Sequence, residues 1–136
     1  NPDTARMASC LIHLAECYER QQQMKEAKDC RDKLIALWRQ ALAVPTPATF
    51  IDIDYALSTN EFGSGLHQIT EFYERVVEQK EQMFGQTNKD VANSLLIYAR
   101  LLRKLGEKEV ADAAEARAHE IHEKIRLLED AQKKAP

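Results

Sequence analysis

Residues 88–118 read NKDVANSLLIYARLLRKLGEKEVADAAEARA, and this stretch decides the fold. Asn88, or Thr87 before it, suits the N-cap of a helix starting near Lys89. Leu95, Ala99 and Leu102 recur at spacings of four and three, the period of one helix face. Gly106 stops that helix, and a second begins near Lys108 with Ala111, Ala114 and Ala118 on one side. Small residues such as Ala99 and Ala111 let two antiparallel helices approach closely, and Leu95 and Leu102 fill the space beside them. The stretch therefore predicts a helical hairpin.

The same pattern extends upstream. Pro2, Pro45, Pro47, Gly63, Gly65, Gly85, Gly106 and Pro136 are all the glycines and prolines of the 136-residue chain, and each lies at a gap between helix-forming segments. They delimit six predicted helices, at about 3–21, 24–43, 48–58, 66–84, 89–105 and 108–133. Asn1 is a plausible cap with Pro2 in the first turn, and Thr46 caps the third helix with Pro47 at its first position. The third helix is the ambiguous one. Phe50-Ile51-Asp52-Ile53-Asp54-Tyr55 alternates and is β-branched, but no second strand is available to pair with it. Gly63-Ser64-Gly65 reads as a turn, too short to cradle a phosphate.

Composition agrees with a folded helical protein. Hydrophobic residues are 44% and charged residues 30%, which is ordinary for a globular chain. The net charge of −3 argues against a nucleic-acid binder. The charge is uneven: residues 1–49 carry +1, residues 50–88 carry −5 and residues 89–136 carry +1. No stretch reaches the apolar length of a membrane span. Cys10, Cys17 and Cys30 are odd in number. Cys10 and Cys17 are about 10 Å apart along a helix, too far for a disulfide. A reducing, cytoplasmic setting is expected. No signal peptide is visible, and the start at Asn1 rather than Met reads as that of an excised piece.

Placing Ala15, Ala56 and Ala99 in register gives spacings of 41 and 43 residues. Seven positions later stand Gln22, Gly63 and Gly106, and twelve positions later Ala27, Gln68 and Ala111. The first and third units agree well, whereas the middle one is degenerate. A fixed period of this size is the signature of stacked repeats.

The residues carrying this pattern include Tyr73-Glu74-Arg75, Phe84-Gly85, Asp90-Val91-Ala92-Asn93-Ser94-Leu95, Tyr98-Ala99, Leu102-Arg103, Gly106, Ala111 and Ala118. Asn1-Pro2-Asp3-Thr4-Ala5 reads like the same repeat start as Asn88-Lys89-Asp90-Val91-Ala92, and Leu14-Ala15-Glu16-Cys17-Tyr18 matches the next block. The sequence resembles the tetratricopeptide repeat in its 42-residue, kinesin-light-chain-like form. Gln22 in place of the turn glycine, Glu115 in place of an aromatic, and most of residues 48–60 depart from it. The resemblance implies an all-α, right-handed superhelix (a solenoid) of three antiparallel helix pairs with a long C-terminal helix. It implies one domain with repeat units at about 1–45, 46–86 and 87–133.

The resemblance also implies a site. The first helix of each pair in that family lines a concave surface that receives a peptide. The matching positions are Asn93, Leu96, Arg100, Arg103 and Lys104 on the fifth helix, and Phe50, Ile53, Leu57, Asn60 and Glu61 on the third. On the first helix they are Ser9, Ile12, Glu16, Glu19 and Arg20. Arg100 and Arg103 suit bidentate capture of carboxylates, and Phe50, Ile53 and Leu57 suit apolar anchors. The expected function is a non-enzymatic scaffold or adaptor. Its expected partner is a protein or peptide with acidic and apolar residues, without nucleic acid, cofactor or metal. A sensor module of a larger protein is the alternative.

Other clusters read more plainly as structure. His119 and His122 are two ligands at most, among solvated charges. Cys10, His13 and Cys17 would need Cys30 facing them to hold a soft metal, and helical cysteines are more often small buried hydrophobes. The carboxylates at Glu16/Glu19, Glu71/Glu74/Glu78 and Glu120/Glu123 lie among bases and read as solvated faces rather than acid–base pairs. The stripe Val110, Ala114, Ile121, Ile125 and Leu128 is longer than one partner helix needs. It is expected to cap the stack, pack on a further repeat, or support homodimerisation.

Overall fold

The structure, a computed structural model, describes residues 2–134, with the backbone alone at Pro2. Among these residues it is all-α, with no strand. The helices are α1 (Pro2–Arg20), α2 (Met24–Ala43), α3 (Pro47–Thr59), α4 (Leu66–Phe84), α5 (Lys89–Lys104) and α6 (Lys108–Lys134). A short 3-10 turn at Gly63–Gly65 precedes α4. The expected boundaries hold to within a residue or two, and the third segment is a helix despite its β-branched run. The proposed cap at Asn1 lies outside the described residues.

Local chemistry accounts for the ends. Asn88 Oδ1 accepts hydrogen bonds from the amides of Asp90 (2.7 Å) and Val91 (3.3 Å), capping α5. Pro47 opens α3, and the Thr46 amide donates to Thr49 Oγ1 at 3.3 Å. Gly85 stands just past α4 with φ 85°, the left-handed conformation that ends a helix.

The helices group into two compact units, residues 1–69 and 70–136. In the first, α1 packs along α2, and α3 packs on α2. Its core holds Ala15, Ala27, Leu34, Trp38, Phe50, Ile53 and Leu57. In the second, α5 packs along α6, with Ala99, Leu102, Ala111 and Ala114 in one apolar cluster against Tyr98. The small residues thus sit where close helix approach requires them. Tyr73, Val76 and Val77 of α4 are also buried there.

The two tight hairpins share their turn geometry. Gln22 and Gly106, 84 residues apart, both have positive φ, 64° and 82°. The Gln23 amide donates to the Tyr18 carbonyl at 2.8 Å, and the Glu107 amide to the Leu102 carbonyl at 2.9 Å. Each pair of bonds around these residues forms a Schellman ending, which satisfies the last carbonyls of α1 and α5. The following helices also start alike, Ala27 bonding back to Gln23 and Ala111 to Glu107.

Candidate functional site

The first unit carries a groove of about 440 Å³ between α1 and α3, closed at one end by the last turns of α2. Small residues on α1, namely Ala5, Ala8 and Ser9, leave the space open. Ala8, Ile12 and Trp38 form a buried apolar floor. The α3 wall is polar, with Thr49, Asp52, Thr59 and Asn60. Asn60 Nδ2 donates to the Ala56 carbonyl at 2.9 Å, which fixes its side chain at the end of that wall. Two lining side chains, Val44 and Tyr55, are 82% and 70% exposed. Asp52 is the one charged residue among those lining the groove. An apolar floor with a few placed polar groups is the usual construction of a recognition site.

The expected site residues divide sharply. Phe50, Ile53 and Leu57 are 2%, 0% and 1% exposed, which corrects their placement on an accessible face. They form α3's own stripe at spacings of three and four and turn into the core; Asp52, Tyr55, Ala56 and Thr59 face the groove instead. Ile12 is also buried, as part of the floor rather than a protruding contact. Glu16 is half-buried beside His13, at 3.8 Å. On α5, Asn93, Arg100 and Lys104 are exposed, and Leu96 is partly so.

Arg103 is exposed but engaged. Its Nε donates to Glu115 Oε1 at 3.0 Å and its Nη2 to Asp112 Oδ1 at 2.7 Å. It clasps α6 to α5 rather than waiting for a partner's carboxylate. Glu115, which departs from the repeat pattern in sequence, has a structural use here.

The same clasp recurs with its charges exchanged. Glu19 and Arg31 lie 84 positions before Arg103 and Glu115, and Arg31 Nη2 donates to Glu19 Oε2 at 2.9 Å. This pair is better shielded, with the Arg31 side chain 3% exposed. The turn before α4 closes over it. The Ser64 amide donates to Glu19 Oε1 at 2.7 Å, and Arg31 Nη1 donates to Ser64 Oγ at 3.3 Å. Hydrogen bonding from the Ser64 side chain, with the Arg31 guanidinium and the Ser64 amide, pulls the Glu19 carboxyl down to about 2. Sequence reasoning missed this cluster because Glu19 looked like a groove residue and Gly63-Ser64-Gly65 like a plain turn.

The remaining candidates stay apart. Cys30 is buried while Cys10 and Cys17 are exposed. Among the described residues no group of three or more His, Cys, Asp or Glu side chains is placed to hold a metal ion. No described helix is long and apolar enough to cross a membrane. Compared with known proteins, the chain matches no protein-family model and no curated protein.

Proposed function

We propose that this protein is a tetratricopeptide-type interaction module, stacked as a solenoid, that captures a peptide in the groove between α1 and α3. The observation that carries the reading is the groove's apolar floor, flanked by exposed Tyr55 and Val44. An exposed aromatic beside a small apolar trough is the usual anchor of a binding hot spot. The paired Schellman turns, 84 residues apart, support the two-times-42 repeat. The groove favours a peptide with one apolar anchor and a basic or amide-bearing neighbour, because Asp52 would repel an acidic one. Acidic ligands suit Arg100 and Lys104 on α5 instead.

Trp38, the single tryptophan, lies at the floor and reports occupancy through its emission. A displayed random-peptide library should enrich an apolar residue followed by Lys or Arg. Tyr55→Ala should weaken the selected peptides about tenfold, and Asp52→Lys should reverse the charge preference. A library that enriches nothing, or peptides indifferent to both changes, would remove the groove assignment. The sensor reading rests on the groove's volume, which also suits a small ligand. It predicts a Trp38 response to a small molecule and none to the library.

A further inference from the structure

The two hairpins differ most on one face. In the second unit Val91, Ser94, Leu95 and Leu101 of α5 are buried, and α4 supplies partners on that side. Lys80 Nζ donates to Ser94 Oγ at 2.8 Å, Glu81 pairs with Arg117 of α6, and Glu74 hydrogen-bonds Tyr98. The equivalent residues of the first hairpin, 84 positions earlier, are Met7, Cys10, Leu11 and Cys17 on α1, with Leu14 matching Tyr98 and Lys33 matching Arg117. Here Met7 is 54% and Leu14 47% exposed, and both cysteines are exposed. Met7, Cys10, Leu11, Lys33 and Leu37 line an open trough of about 560 Å³.

The covered face in one hairpin states what the uncovered face in the other is built to take. We propose that this face of α1 and α2 docks an amphipathic helix of α4-like chemistry: branched aliphatic residues at three-and-four spacing, with a carboxylate that reaches Lys33. Charge sharpens the choice. Arg6, beside Met7, replaces Asp90 of the second hairpin, so the trough is flanked by Arg6 and Lys33. An acidic helix is favoured over a basic one. The apolar stripe of Met7, Cys10, Leu14 and Cys17 runs about 15 Å along α1, three turns of an incoming helix. This surface is separate from the α1–α3 groove, and neither assignment rests on the other.

The probe is a synthetic peptide with the sequence of residues 66–84, titrated into the intact protein. Saturable binding is expected, with alkylation of Cys10 and Cys17 slowed about fivefold or more at saturation. Leu14→Glu and Met7→Glu should each weaken binding about tenfold. Both sites are exposed, and circular dichroism checks that the variants keep their helices. Lys33→Glu should also weaken binding, and a peptide with Glu81→Lys should restore it. Absence of binding at millimolar peptide would overturn the proposal. So would binding that leaves both cysteines reactive, or that ignores Met7→Glu and Leu14→Glu, since the peptide would then sit elsewhere. Concentration-dependent self-association abolished by Met7→Glu would make a second copy the occupant and overturn it too. Tyr55→Ala should leave the titration unchanged.

Discussion

Glu19 and Arg31 join three segments of the first unit through one ion pair. The pair is shielded, so its removal is felt more than that of a surface bridge. Glu19→Gln should destabilise the protein by about 2 kcal/mol at neutral pH, allowing for partial solvation of the carboxylate. The pH dependence has a definite sign. The folded carboxyl titrates near 2, below its model value of 4.5. Its contribution is therefore complete above about 4.5 and is lost as pH falls toward 2. Denaturant melts at pH 7 and pH 2.5 should show a large gap between the native protein and Glu19→Gln at the first and a small one at the second. Gly65 reports on the same cluster. A Cβ there would run into Arg31 Cδ, and Gly65→Ala should cost about 1–3 kcal/mol by displacing the buried arginine. A melt unchanged by Gly65→Ala would mean that Arg31 has room to move.

The ends of the helices were readable because caps and turn residues act locally. Asn88, Thr46-Pro47, Gly85 and Gly106 each stand where their chemistry requires. Gln22 tests the same logic. It occupies, at φ 64°, the left-handed position that Gly106 holds in the other hairpin. A side chain there strains the backbone, and glycine does not. Gln22→Gly should raise stability by about 0.5–1 kcal/mol, seen as a higher Tm; a lower Tm would show that the Gln22 side chain contributes something glycine cannot. The face of α3 was not readable from the repeat register. Matching Ala56 to Ala15 and Ala99 put Phe50, Ile53 and Leu57 on a surface. The helix's own apolar spacing puts them inside, and burial of three large side chains outweighs a register inherited from neighbouring units. Arg103 misled for another reason: its partners Asp112 and Glu115 lie across a hairpin turn, and contacts of that kind are visible only after folding.

Across the whole chain, buried residues are distributed unevenly, and α6 shows this best. Its buried side chains are Ala111, Ala114, Ala118 and Ile121. From 122 to 134 none is buried, and Leu127 and Leu128 are 55% and 58% exposed. The sequence stripe through Ile125 and Leu128 thus continues past the point where α5 and α4 give it anything to cover. What holds this stretch is local, chiefly Arg126 with Glu123 and with Asp130, and both pairs are exposed. Exposed pairs one turn apart add little, and a helical end without tertiary contacts frays. Hydrogen exchange should therefore show a step along α6: amides through about residue 121 protected like those of α5, and amides beyond about 126 exchanging early. A chain ending at Glu123 should melt within about 2 °C of the full one, because no buried apolar area is lost. If the truncation instead lowers Tm by about 10 °C, or if protection extends evenly to residue 134, the leucines of this end are covered in solution. A concentration-dependent Tm for the full chain alone would then identify a second copy as the cover.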